Sequence, residues 1–145
     1  MATARSGEQI LPNAIAGILK HIHSTTVFFN NSEQSYRRFG EGSAPSTVSW
    51  SGDNRGQLVR IPPVGASGHH YAQLRSPDAL ANPYLAMAML IYECLDGIEN
   101  KYELPSAGAF IDSLPGSLNE AKKLAIKSDF VNKVFSKELI DAYCG

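Results

Sequence analysis

The stretch Asn82-Pro83-Tyr84-Leu85-Ala86-Met87-Ala88-Met89-Leu90-Ile91-Tyr92-Glu93-Cys94-Leu95-Asp96-Gly97-Ile98 decides the fold class. Asn82 suits a helix N-cap, and Pro83 suits the first helical position, where the N–H it lacks would go unpaired anyway. Apolar residues run nearly all round from Leu85 to Leu90, which predicts a helix buried on most of its sides. Tyr84, Met87, Met89 and Tyr92 are then core residues, and Cys94 packs beside them rather than acting as a nucleophile. Upstream, Leu11, Ile15, Ile18, Leu19 and Ile22 recur at three-to-four spacing and predict a first amphipathic helix, broken by Asn30-Asn31. A polar segment, 32–38, and a Gly- and Pro-bearing loop, 40–46, follow.

Residues 47–51, 57–61 and 71–75 have strand character, with Gly52-Asp53-Asn54 as a turn between the first two. They predict a three-stranded antiparallel sheet. Downstream of the long helix, 102–116 reads as a connector punctuated by Pro and Gly. Ser117-Leu118-Asn119-Glu120 is a capping-box pattern, opening a helix whose inner face is Leu118, Ala121, Leu124 and Ala125. Ser136 opens a last short helix through Ile140 and Tyr143. The expected class is α+β, a small antiparallel sheet with packed helices.

Composition narrows the function. A chain of 145 residues, 43% hydrophobic and 19% charged, fits one domain and is too apolar for disorder throughout. Thirteen Lys and Arg against fourteen Asp and Glu leave a net charge of −1, so no global field recruits nucleic acid or anionic lipid. No apolar run approaches the roughly 20 residues that span a bilayer. Residues 1–10 lack the apolar core of a secretory signal and read as a disordered start, or one foreign to the protein; the domain proper is expected over 11–145. Cys94 and Cys144 are too far apart for a CxxC motif and too few for a disulfide framework. A cytoplasmic protein with reduced thiols is the expectation.

Five of the six arginines, Arg37, Arg38, Arg55, Arg60 and Arg75, fall in the middle of the chain. Arg60 and Arg75 sit in predicted strands and Arg55 between two of them, so one small sheet could aim several guanidinium groups into a common space. Guanidinium binds phosphate and carboxylate in bidentate fashion, which suits an anionic substrate. The plainer alternative is that each arginine pairs with a surface acid. His69-His70 point to opposite faces if extended and read as an exposed loop pair, not a shared metal site. His21 and His23 are spaced wrongly for one helix face. No HExxH, phosphate-loop or nucleophile-elbow signature is present.

Several ordered pieces resemble the glutamine synthetase family. They are Ile15-Ala16-Gly17-Ile18-Leu19, Ser35-Tyr36-Arg37-Arg38-Phe39, Ala44-Pro45, Asn54-Arg55, Arg60-Ile61-Pro62, Leu74-Arg75-Ser76-Pro77-Asp78, Ala81-Asn82-Pro83-Tyr84-Leu85-Ala86 and Asp96-Gly97-Ile98. The similarity covers nearly the whole chain, but only the C-terminal portion of the family's catalytic domain, a barrel.

The resemblance implies an ATP-dependent ligase that joins glutamate and ammonia through γ-glutamyl phosphate, with Mg²⁺ or Mn²⁺ accompanying ATP. By resemblance Arg38 and Arg75 match arginines contacting glutamate, Arg55 one that stabilises the transferred phosphate, and Arg60, with Arg55, the ATP contacts. Positive donors around a phosphoryl group in transfer are what that chemistry needs.

Three positions depart from the family pattern. Gln73 stands where the family has a metal-binding Glu, and an amide is a poorer ligand for a hard divalent cation. Ser43 stands where the family has a flap Glu that closes the site and helps deprotonate ammonium. Gly68 replaces a Lys that contacts ATP in parts of the family.

The β-grasp domain and most metal carboxylates of the family have no counterpart, so the isolated fragment is expected to be inactive and to bind neither metal nor ATP tightly. Homo-oligomer formation is implied for the full-length family, and no nucleic-acid or membrane partner. Other readings are a ligase joining glutamate to another amine, which Ser43 and Gln73 motivate, and a non-catalytic binding or regulatory homologue. A fragment of this kind should also leave apolar faces exposed and self-associate.

Overall fold

A computed structural model describes residues 7–64, 68 and 70–145. Helix α1 spans Gly7–Thr25 and continues into a 3-10 turn, Thr26–Phe28. It therefore begins before Leu11 and takes in residues 7–10, which by sequence belong to the start. Its predicted inner residues Ile15, Ile18, Leu19 and Ile22 are all buried. Helix α2, Glu33–Arg38, forms in the segment whose sequence reads only as polar, capped by the Ser32 hydroxyl accepting from the Ser35 N–H at 3.3 Å.

Helix α3, Pro83–Glu99, forms from the long apolar stretch, and its cap is as expected: the Asn82 side-chain oxygen accepts from the N–H groups of Tyr84 and Leu85. Met89, Glu93 and Gly97, four residues apart, are buried and form its inner stripe. The expectation of burial on most sides is corrected. Tyr84 is 85% exposed, Met87 55%, Ile91 52% and Tyr92 49%, so only one face is covered by the described residues. An apolar run reports how much a helix wants to bury, not what surrounds it.

α1 and α3 meet at two glycines. A Cβ on Gly17 would lie 2.1 Å from the Glu93 carbonyl oxygen, and one on Gly97 would lie 2.1 Å from that of Asn13. Any side chain at either position would hold the backbones apart. Around this pair pack Phe28 and Phe29 from the end of α1, Val48, Leu58 and Val59 from the sheets, and the C-terminal helices α4 (Leu118–Lys127), α5 (Asp129–Val134) and α6 (Lys137–Cys144). The Phe28 ring stacks on Tyr143 at 5.4 Å and meets Phe135 edge-on at 5.0 Å.

The three C-terminal helices begin at serine caps, Ser117, Ser128 and Ser136, each accepting from an N–H three residues on. Ser117 and Ser136 match the sequence expectation; α5 goes beyond it. Glu120 reaches back to the Gly116 N–H rather than to that of Ser117.

The strands are two residues each: β1 Thr47–Val48, β2 Trp50–Ser51, β3 Val59–Arg60, β4 Gln73–Leu74 and β5 Asp112–Ser113. β2, β3 and β4 form the expected three-stranded sheet, and β3–β4 is antiparallel, but β2–β3 is parallel, with Trp50 opposite Val59. Residues 52–54 therefore close no hairpin. The chain loops back through 52–58 to run in the same direction, with the Asn54 side chain accepting from the Gly56 N–H at 2.8 Å.

The 47–51 run also serves two sheets. The carbonyls of Ser46, Val48 and Trp50 accept from Leu114, Ile111 and Gly108, while those of Ser49 and Ser51 accept from Val59 and Ile61. The first set creates β5 inside the connector, paired antiparallel with β1. The α+β class holds, with one antiparallel and one mixed sheet.

Candidate functional site: an arginine row on the short sheet

Register builds the site. Arg60 on β3 lies opposite Gln73 on β4, and the Arg60 guanidinium donates to the Gln73 side-chain oxygen at 3.4 Å. Arg75, two residues beyond Gln73, falls on the same face because strand side chains alternate. Its N–H donates to the Leu58 carbonyl, extending the β3–β4 pairing by one residue.

Arg38 approaches from the end of α2 and donates to the Ser76 carbonyl at 2.7 Å. The same carbonyl accepts from Asn30 at 2.8 Å, whose own carbonyl accepts from the Tyr36 hydroxyl at 2.6 Å. The Ser35 hydroxyl donates to the Asp78 carboxylate, and the Asp78 N–H to the Phe29 carbonyl. Residues 75–78 are thus clamped to α2 and to the segment leaving α1, which fixes Arg38 and Arg75 relative to each other. Arg60 meets Gln73 across the strands, and Arg38 meets the backbone beside Arg75; Arg55 and Arg37 are exposed and make no side-chain hydrogen bond among the described residues.

Charge decides between the two readings of the arginines. Both ion pairs among the described residues belong to histidines, His21–Asp96 at 2.6 Å and His23–Asp112 at 3.6 Å; no arginine pairs with a carboxylate. The Nε atoms of Arg60 and Arg75 are also buried without a hydrogen-bond partner. Those Nε donors are sealed from solvent, so an external anion could be met only by the outer N–H groups of guanidiniums that have no counter-ion. The alternative in which surface acids neutralise the arginines does not hold for the described residues.

The donors do not suit a divalent cation. Among the described residues no three His, Cys, Asp or Glu side chains come together. The Gln73 oxygen faces a guanidinium, which would repel a metal ion. Ser43 is exposed on its loop and Gly68 is exposed with no atom near its Cβ position. His70 is exposed; His69 lies outside the described residues.

A second polar group escapes the sequence patterns. Glu93 is fully buried, its carboxyl accepting from the Thr25 hydroxyl, and burial pushes its pKa up to about 8. The available signal was spacing: the acid lies four residues from both Met89 and Gly97, on the inner stripe. His21 stacks on Phe130 at 3.6 Å and donates to Asp96. Burial lowers the His21 pKa, outweighing the Asp96 hydrogen bond. Burial alone would raise Asp96, but hydrogen bonds from His21 and Tyr102 hold it below the usual range.

The structure is thus an α+β domain whose short sheet carries arginines with no carboxylate partner among the described residues. Among known proteins, the profile of the glutamine synthetase catalytic domain matches residues 3–145. The glutamine synthetase of Pseudomonas aeruginosa is 40% identical over 145 residues, and that of Neisseria gonorrhoeae 38% over 146. That of Escherichia coli K12 is 37% identical over 145 residues. Each comparison covers 89% of this chain and 31% of the relative, so the chain spans about a third of their length. The chain belongs to the glutamine synthetase family. Among the described residues no helix is long and apolar enough to cross a membrane.

Proposed function

We propose that this chain is the C-terminal part of the catalytic domain of a glutamine-synthetase-like, ATP-dependent ligase. That ligase joins glutamate and ammonia through γ-glutamyl phosphate. The observation that carries the reading is the arginine row with open donors and no carboxylate partner. In this reading Arg38 and Arg75 hold glutamate, Arg55 stabilises the phosphoryl group in transfer, and Arg60 and Arg55 contact ATP.

The 2.7 Å bond from Arg38 to the Ser76 carbonyl supports its part, because it orients one edge of the guanidinium and leaves its other donors for a carboxylate. The Mg²⁺ or Mn²⁺ that would accompany ATP finds no ligand set among the described residues, whose donors do not fit such an ion. The protein works in the cytoplasm as a homo-oligomer, and the 145-residue chain by itself is inactive.

Two departures favour a second reading, in which glutamate is joined to an amine other than ammonia. Ser43 offers a hydroxyl where a flap carboxylate would help deprotonate ammonium, and Gln73 offers a neutral amide beside Arg60. A non-catalytic binding homologue would keep the arginines alone.

Calorimetric titration of the full-length ligase with ATP, and an assay of the 145-residue chain with ATP, glutamate, Mn²⁺ and ammonium, test the proposal. ATP binding weakened roughly tenfold or more by Arg60→Gln is expected, since a charged hydrogen bond contributes about 1.5–3 kcal/mol. Binding that Arg60→Gln leaves unchanged would remove the ATP role, and glutamine formed by the chain alone would end the inactive reading. Phosphate release that depends on an organic amine and not on ammonium would move the assignment to the second reading.

A further inference from the structure

Glu93 lies outside the arginine row, and nothing in the proposed reaction uses it. It sits on the inner stripe of α3, one turn before Gly97, and its backbone carbonyl lies so close to Gly17 that a Cβ there would come within 2.1 Å of it. The residue is 0% exposed. Its Oε1 accepts from the Thr25 hydroxyl, and its Oε2 is buried with no partner among the described residues.

We infer that Glu93 is a proton-operated joint: as a neutral acid it lets α1 and α3 close on each other, and loss of its proton loosens that crossing and the segment 25–30 beyond it.

The groups facing it leave no counter-charge. α1 and the 3-10 turn pack against α3. On α1, Lys20 lies over the Tyr102 ring at 3.9 Å, His21 is paired with Asp96, and His23 turns to Ser113 and Asp112. The 3-10 turn, Thr26–Phe28, carries no titratable group. On α3 itself the neighbour is Cys94, whose thiol burial and Glu93 push up to about 11.

An ionised Glu93 would therefore keep one hydrogen bond, from Thr25, and lose its hydration. Buried charge without a partner is costly, so the proton stays until the surroundings open. Ionisation moves the Oε2 proton to solvent, with no other bond made or broken.

The joint is placed to matter. Thr25, which holds Oε1, opens the segment that ends at Asn30, and Asn30 holds the Ser76 carbonyl beside Arg75. Loosening at Glu93 therefore acts on the frame of the arginine row as well as on stability. In the folded chain the group titrates near 8, against 4.5 as its ordinary value. Between those values the folded state holds a proton at Glu93 that the unfolded state lacks, so the Glu93 contribution to stability falls as pH rises and levels off above 8.

Infrared titration of the 145-residue chain reads the proton directly. A protonated-carboxylic-acid carbonyl band should persist at pH 7, vanish with a midpoint near 8, and be missing in Glu93→Gln. Thr25→Val, which removes the hydroxyl that favours the ionised form, should move the midpoint upward. Relative to Glu93→Gln, which keeps His21 and every other titrating group, the thermal midpoint of the native chain should fall by on the order of 10 °C from pH 5 to pH 8.

No such band at pH 7, or the same band in Glu93→Gln, would overturn the inference. So would a native thermal midpoint that does not fall relative to that of Glu93→Gln over this range. Should Glu93→Gln fail to fold, the native titration and Thr25→Val still decide, and none of these readouts depends on ligase activity.

Discussion

Gly97 sits where α3 touches α1, and the nearest atoms to any Cβ there are backbone: the Asn13 carbonyl oxygen at 2.1 Å and the Gly17 nitrogen at 2.7 Å. Backbone cannot swing aside as a flexible side chain would, so Gly97→Ala should cost about 2–4 kcal/mol, as overpacking does when the helices must separate. Urea unfolding measures it, and a loss under about 1 kcal/mol would mean that the helices slide apart without strain.

His21 acts at the same scale through pH. Its folded pKa is lowered from 6.5, so the folded chain favours the neutral imidazole that donates to Asp96. That stability is present above 6.5 and is lost as pH falls toward the folded value. Asp96, lowered from 3.8, adds a second loss at still lower pH. Removing the imidazole in His21→Phe keeps the stack on Phe130 and should shrink the acid-induced loss of thermal midpoint between pH 6.5 and pH 4.

Caps and strands show how elements form from short signals. Asn82 satisfies two N–H groups at the start of α3, and Asn82→Ala should cost about 1 kcal/mol by chemical denaturation. Ser128→Ala should cost a similar amount, because its hydroxyl caps α5. The strands are different. Two-residue strands hold no stability of their own, and what aligns them is the alternation of carbonyls along 46–51 toward partners on both sides. Which partner lies on which side depends on where β3 and β5 arrive, and no turn residue between 52 and 58 encodes that. This is why the first pair of the predicted sheet is parallel.

The molecule as a whole presents an unusual outer face. Tyr84, Met87, Ile91 and Leu95 lie three and four residues apart along α3 and are each about half exposed or more, with Leu80 beside its start 68% exposed. Contiguous exposed apolar surface of this kind favours association. Sedimentation of the chain should show concentration-dependent association, and Met87→Lys with Ile91→Lys should reduce it; a dilute and concentrated monomer alike would contradict the expectation. The proposed anion site is also a property of the whole molecule, since Arg38 from α2 and Asn30 from the segment after α1 both hold the Ser76 carbonyl beside Arg75.

Local chemistry was legible in the residues themselves. The inner face of α1, the Asn82, Ser117 and Ser136 caps, the α+β class and the family were all readable, because periodicity, capping and ordered motifs are written in neighbouring positions. The arginines were legible as a cluster, and Gln73 as a departure beside them.

Tertiary structure alone decided the rest. It set the parallel pairing of β2 with β3, the creation of β5 and the exposure of half of α3. It decided that no described arginine has a carboxylate partner, and that an acid in an apolar helix lies fully buried with the Thr25 hydroxyl as its partner. The reason is physical: burial, pairing and proton affinity depend on what distant parts of the chain bring to a residue, and a linear pattern records only what the residue brings itself.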